Sequence, residues 1–128
     1  MLNKLSTAQL ERTQLLEVIG RLEGSNSGGL VQALDHAMNS GYAQVILDLS
    51  EVKYINSAGL RELVLMMERA RRAGTTLAIA NPSERVSRVL ELVGLDSVIE
   101  IIPTSEFLAS RLSSANGAIL SRQVCYCS

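Results

Sequence analysis

The chain has 128 residues, of which 47% are hydrophobic and 20% are charged. A chain of this length can bury most of its apolar surface in one domain, and this composition excludes an intrinsically disordered protein. The net charge of -1 gives no electrostatic reason to expect a nucleic-acid partner.

The sequence contains no apolar run of the ~20 residues that a membrane-spanning helix needs. The N-terminal segment, MLNKLSTAQLERTQ, also lacks the apolar core of a signal peptide. We therefore expect a cytoplasmic protein with no membrane insertion.

The N-terminal third of the chain is predicted to form a strand, a turn and a helix. Residues 1–14 have no clear periodicity, so we expect an arm or a weak first strand there. Leu15–Leu22 nearly alternates between apolar and other residues, as a strand with one face in the core does. Glu23–Gly29 is rich in Gly, Ser and Asn and lacks the Gly-Lys-Ser/Thr of a phosphate-binding loop, so we interpret it as a turn. Leu30–Ser40 has apolar residues at helical spacing and precedes Gly41, which favours a helix end.

The central stretch, Gln44–Gly74, predicts a buried strand followed by a long helix. Val45–Leu49 is an apolar run with one interruption, typical of a strand covered on both faces. A helix is predicted over Ser57–Ala73, ended by Gly74. Its apolar residues form one stripe, which consists of Leu60, Leu63, Val64 and Met67, with Met66 at the margin.

The C-terminal part of the chain continues the alternation of strands and helices. Thr76–Ala80 and Val98–Ile102 are predicted as short apolar strands. A helix between Pro82 and Gly94 separates them, and a last helix begins at Thr104–Glu106. This alternation predicts a single α/β domain, in which helices cover a sheet with a parallel component and right-handed crossovers.

The predicted domain comprises residues 15–112, and residues 113–128 are predicted to form a flexible tail. The tail contains both cysteines, Cys125 and Cys127. Two sulfurs are too few for a tetrahedral zinc site within one chain, and a disulfide at this spacing is strained. We therefore interpret the cysteines as inert, with intermolecular metal or redox chemistry as the alternative.

Polar residues at the end of the central strand form the candidate site, which consists of Asp48, Ser50, Glu51, Asn56 and Ser57. The Ser57 hydroxyl is predicted at or beside the helix N-terminus. Free N–H groups and the helix dipole there stabilise an added phosphate by about 1 kcal/mol or more. The structural alternative is that Asn56 or Ser57 only caps the helix.

No combination of residues predicts an enzyme. The single histidine, His36, lies on the polar side of its predicted helix, and we expect it to be solvated. The sequence around Ser57 has no Gly-x-Ser-x-Gly motif, and the chain has no cofactor loop. We therefore predict no catalytic residue, no metal site and no cofactor.

Asp48–Ser50 (DLS) and Asn56–Leu60 (NSAGL) resemble the signature of STAS domains of the bacterial anti-sigma factor antagonist class. That signature is a strand ending in Asp-Leu-Ser, then about half a dozen residues, then Asp-Ser-Ser/Thr-Gly-Leu. The resemblance extends from Leu15 to Leu112 and includes Arg88–Asp96. It implies a STAS-type fold, a mixed β-sheet with covering helices. It also implies that Ser57 is phosphorylated by an anti-sigma factor, which in this family is a serine kinase.

The chain departs from the family pattern in three places. Gly24–Ser27 stands where the resemblance implies a Gly-x-x-Asp turn that contributes to partner binding, and it lacks the acidic residue. Asn56 replaces the usual Asp, which removes a charge, and Ala58 replaces a common second Ser or Thr. Ser57 is retained, so phosphorylation stays chemically feasible.

The resemblance and the helix pattern together predict a partner-binding surface. Leu65 falls nearly opposite the apolar stripe of its helix, and Arg61 belongs to a charged face. Both also have a purely structural interpretation, because exposed leucines and solvated charges are common. The predicted partner-binding residues are Gly24, Ser25, Asn26, Ser27, Asn56, Ser57, Ala58, Gly59, Arg61 and Leu65.

These features predict a non-enzymatic partner switch. The unmodified chain would bind an anti-sigma factor serine kinase, and phosphorylation of Ser57 would end binding until a PP2C-type phosphatase removed the phosphate. One alternative is a constitutive STAS scaffold or subunit of a signalling or lipid-transport complex, in which Ser57 only caps its helix. Another is a small-molecule or nucleotide-binding module. The sequence also leaves open a weak homodimer.

Overall fold

The computed structural model describes residues 13–24, 28–102 and 120–127. Strands and helices alternate along this part of the chain. The strands are β1 (Thr13–Leu22), β2 (Gln44–Ile55), β3 (Thr76–Ala80), β4 (Glu100–Ile102) and β5 (Leu120–Cys127). The helices are α1 (Gly28–Asn39), α2 (Ser57–Ala73) and α3 (Glu84–Val93), followed by a 3-10 turn (Leu95–Ser97).

The strands form one sheet in the order β4-β3-β2-β1-β5. Each pair of neighbouring strands in this sheet is parallel. The structure thus confirms the predicted α/β domain with covering helices. The resemblance implies a mixed sheet, whereas the described strands pair in parallel only.

The sheet carries a buried cluster on each face, because neighbouring residues of a strand point to opposite sides. Leu16 and Leu47 belong to the larger cluster, together with the buried sides of all three described helices. Leu15 and Ile46 belong to the second cluster. The helices of the described ranges therefore pack on one face of the sheet. None of them is long and apolar enough to span a membrane.

Helix α2 begins and ends where the sequence predicts. Asn56 is its N-cap, and Gly74 is its C-cap. Gly74 has a φ of 78°, a left-handed conformation that glycine adopts without strain. The N–H of Gly74 donates a hydrogen bond to the carbonyl of Arg71, which closes the helix end.

The buried side of α2 differs from the predicted stripe. Its buried residues are Gly59, Leu63, Met66 and Ala70. The prediction that Met66 lies at the margin is wrong, because its side chain is only 1% exposed. The reason is the close packing of Gly59 on the end of β1, which turns this side of the helix toward the sheet.

The prediction of a flexible tail is wrong for Leu120–Cys127, which forms strand β5. Leu120–Cys127 pairs with β1, so that β1 has hydrogen-bonded neighbours on both sides. Cys125 is 6% exposed and belongs to the larger core cluster, so it is a core residue and not part of a frayed end. The partner strand β1 is distant from β5 in the sequence, so local periodicity could not predict this pairing.

Other predictions fall outside the described residues. They concern residues 1–12, the greater part of the predicted N-terminal arm, and residues 103–119, which include the last predicted helix and the start of the predicted tail. The first two residues of β1, Thr13 and Gln14, extend the predicted strand at its N-terminal end.

Candidate functional site

The C-terminal ends of β1 and β2 lie side by side and bring two connections together. Leu22 pairs with Ile55 in the parallel ladder. The next N–H group, that of Asn56, donates a hydrogen bond of 3.1 Å to the carbonyl of Leu22. The loop after β1 and the start of α2 therefore leave the sheet at the same point.

Gly59 makes this junction close. A Cβ atom at this position would lie 2.1 Å from the carbonyl oxygen of Leu22. Only a residue without a side chain lets the first turn of α2 pack this tightly on the end of β1. The glycine of the NSAGL segment thus has a packing role in the structure.

Gly24 brings the loop after β1 against the first turn of α2. Its φ is 89°, and a Cβ atom there would lie 2.6 Å from the Cβ of Ala58. Both features favour glycine at this position. Of the predicted partner-binding residues, the structure therefore places Gly24 beside the turn that holds Asn56, Ser57 and Ala58. Ser25, Asn26 and Ser27 lie outside the described residues.

The cap of α2 is Asn56 and not Ser57. The Oδ1 atom of Asn56 accepts a hydrogen bond of 2.8 Å from the N–H of Gly59. Ser57 is the first residue of the helix, and its side chain is exposed. Within the described residues its hydroxyl has no hydrogen-bond partner. The hydroxyl is therefore accessible, and the alternative in which Ser57 serves as the cap is not supported.

Arg61 and Leu65 continue the exposed side of α2 that begins at Ser57. They follow Ser57 by four and eight residues, so all three lie along one side of the helix. The side chain of Leu65 is 46% exposed, and Arg61 is also exposed. A surface that runs from Ser57 to Leu65 is thus accessible. We use the name α2 surface for the following set of residues: Gly24, Asn56, Ser57, Ala58, Arg61 and Leu65.

The other polar residues of the predicted site lie within β2 and not at its end, because the strand continues to Ile55, and their environments differ. Asp48 is 7% exposed, and its Oδ1 accepts a hydrogen bond of 3.0 Å from the N–H of Ser50. Glu51 is exposed. Asp48 therefore has a structural role, because its carboxylate satisfies a backbone N–H group within β2.

The structure also identifies polar residues at this edge that the sequence analysis missed. Arg21 pairs with Glu23 through its Nε atom at 2.6 Å, and its guanidinium lies 4.3 Å above the ring of Tyr54. Gly20, with a φ of 124°, begins the spacing Gly-Arg-Leu-Glu. This Gly-x-x-Glu segment was the signal in the sequence that could have identified these residues. Its acidic residue, Glu23, is next to Gly24 and lies four positions before Ser27, where the family pattern placed the acidic residue.

The comparison with family models identifies the domain. Residues 4–108 match the model of the STAS domain. A Thermotoga neapolitana protein, named provisionally as an anti-sigma factor antagonist homologue, is 36% identical over 70 residues, 55% of this chain and 62% of that protein. The anti-sigma-B factor antagonist of Bacillus subtilis is 33% identical over 64 residues, 50% of this chain and 59% of that protein. The matched region spans less than two thirds of either relative.

Solved structures share the fold at low sequence identity. The Bacillus cell fate determinant SpoIIAA in its phosphorylated form has a TM-score of 0.60 and 15% identity, over 88% of this chain and 97% of that one. The STAS domain of a SulP transporter from Vibrio cholerae has a TM-score of 0.64 and 18% identity, over 93% of this chain and 89% of that one. Since the family model also covers most of the sequence, the chain belongs to the STAS domain family.

Proposed function

We propose that this chain is a non-enzymatic anti-sigma factor antagonist. Its α2 surface binds an anti-sigma factor serine kinase, and the sigma factor held by that kinase is released. Phosphorylation of Ser57 ends the binding, and a PP2C-type phosphatase restores it. The names of the relatives support the partner class. The observation that carries the proposal is the exposed Ser57 hydroxyl, left without a capping role by Asn56.

The position of Ser57 makes the modification compatible with the fold. A phosphate on the first residue of a helix lies near free N–H groups and the positive end of the helix dipole. Phosphorylation at this site therefore leaves α2 intact. Its effect is on the interface, since the phosphate adds a charge of about -1.5 to -2.

The added charge is large enough to end binding. Burying it against an apolar surface or a partner carboxylate costs several kcal/mol, whereas a single interface hot spot contributes about 2–4 kcal/mol. Ala58, the next residue of the α2 surface, contributes only a methyl group, which offers no hydrogen bond to compensate this charge.

The departures from the family signature at Asn56 and Ala58 are compatible with this role. Asn caps helices about as well as Asp, so the start of α2 is kept while one charge is removed. Ala58 presents only a Cβ atom toward Gly24, and this allows the loop after β1 to lie close.

The test is a phosphorylation and binding experiment. The chain is incubated with ATP and each anti-sigma factor kinase of its source organism, and the phosphate is located by mass spectrometry. We expect modification of Ser57, none in Ser57→Ala, and wild-type behaviour in Ser40→Ala, a control at an exposed serine at the end of α1. Calorimetry should show that phosphorylation weakens binding by about a hundredfold or more, equivalent to about 3 kcal/mol.

Two results would contradict the proposal. If a kinase binds but leaves Ser57 unmodified, or if the phosphorylated chain binds as tightly as the unmodified one, the switch is absent. The constitutive STAS scaffold, a role that the shared fold of the SulP transporter domain also accommodates, would then be favoured.

A further inference from the structure

Arg61 has no acidic residue three or four positions away on its own helix. Side chains interact along a helix when they are three or four residues apart. For Arg61 those positions hold Ser57, Ala58, Val64 and Leu65. Within the described residues the guanidinium also forms no ion pair or hydrogen bond, although it is exposed.

The arginines near the other end of α2 have anionic groups within reach. Arg69 makes two hydrogen bonds, of 2.7 and 2.6 Å, to the carboxylate of Asp35 on α1. Arg71 pairs with Glu68 at 2.6 Å and lowers the pKa of that carboxyl. Arg72 follows Glu68 by four residues and also acts to lower its pKa. Arg61 differs from all three, because Ser57 is the only residue three or four positions away on the helix that can become an anion.

We infer that Arg61 is the positioning residue for a phosphate on Ser57, with which it forms an ion pair within the same chain. The inference rests on the proposed phosphorylation of Ser57. The spacing is four residues with the acidic group on the N-terminal side, which is the favourable orientation for a helical ion pair. A guanidinium also matches the geometry of phosphate oxygens with paired N–H donors.

This ion pair gives phosphorylation a second effect on the α2 surface. In the unmodified chain Arg61 is free to face a carboxylate of the partner. After phosphorylation the guanidinium is held by the phosphate at Ser57. The modification then adds negative charge and withdraws a docking cation in one step.

The test uses phosphoserine incorporated at position 57 during translation, so that no kinase is needed. The second pKa of the phosphate is measured by phosphorus NMR in the otherwise unchanged chain, in Arg61→Gln and in Arg61→Lys. We expect Arg61→Gln to raise this pKa by about 0.15 to 0.4 unit and Arg61→Lys to raise it less. High salt should reduce the difference.

The control is Arg85→Gln, which removes the same charge from an exposed arginine on α3 that has no ion pair in the described part of the chain. The other charged groups at this end of the sheet and helix are Arg21, Glu23, Lys53 and Glu62. They are present in every variant, so their effects cancel. Equal pKa values in Arg61→Gln and the unchanged chain would overturn the inference. So would an equal shift in Arg85→Gln, which would indicate a general charge effect.

The outcome is independent of the kinase experiment. If no kinase phosphorylates Ser57, the proposed function fails while the titration of the incorporated phosphoserine still gives its result. If the pKa of the phosphate does not depend on Arg61, the inference fails while phosphorylation by a kinase is unaffected.

Discussion

The contact between Gly59 and the end of β1 gives the sharpest prediction. In Gly59→Ala the new Cβ would lie 2.1 Å from the carbonyl oxygen and 2.7 Å from the carbonyl carbon of Leu22. A normal carbon–oxygen contact is about 3.3 Å, so the backbone segments must separate by roughly 1 Å. That carbonyl also accepts the hydrogen bond from Asn56, which the movement would weaken.

Two opposing effects determine how much Gly59→Ala changes the free energy of unfolding. Overpacking costs about 1–3 kcal/mol, and a clash between two backbone segments belongs at the upper end because no side chain can rotate away. Alanine is better than glycine in a helix by about 1 kcal/mol, which offsets part of the cost. We expect the free energy of unfolding to fall by about 2 kcal/mol and the melting temperature to fall by about 8 °C.

The assay is thermal and urea unfolding, with Gly29→Ala as a matched control. Gly29 lies in the first turn of α1, and a Cβ atom there would meet nothing within 4 Å. This control should be neutral or stabilising by up to about 1 kcal/mol. The two substitutions are chemically identical, so the opposite signs depend on the contact with Leu22. A Gly59→Ala protein that unfolds at or above the wild-type temperature would refute the reasoning.

Two further predictions concern the helix cap and the last strand. Asn56→Ala should lower the free energy of urea unfolding by about 1 kcal/mol, while Ser57→Ala should change it little; the reverse order would show that the cap is misassigned. Removal of residues 120–128 should lower stability and increase amide hydrogen exchange in β1, because β1 loses a neighbouring strand and the core loses Cys125. Unchanged exchange in β1 would show that β5 does not pair with it in solution.

The parts of the fold that depend on local signals were predictable from the sequence. Helix α2 was predicted with correct ends, because a polar pair precedes its apolar stripe and Gly74 follows it. The orientation of α2 about its own axis was not predicted, because a small rotation leaves almost the same apolar residues buried. The burial of Met66 depends on the contact between Gly59 and Leu22, and Leu22 lies on β1, far from α2 in the sequence.

The strand β5 could not be predicted, because an edge strand is stabilised by its partner more than by its own residues. The residues of the candidate site were predicted from the sequence, but the role of each residue was not. Asn and Ser are both good caps, and only the coordinates assign the cap to Asn56. The pair of Arg21 with Glu23 was missed because the Gly-x-x-acid spacing was sought four residues too late.

The position of β5 has a kinetic consequence. Thr13 pairs with Leu120, so one ladder joins segments that are about 100 residues apart in the sequence. The entropy of closing so long a loop must be lost before that ladder contributes any enthalpy, and chains with a high contact order fold slowly for this reason. During synthesis on the ribosome, the outer edge of β1 stays unpaired until β5 has been translated.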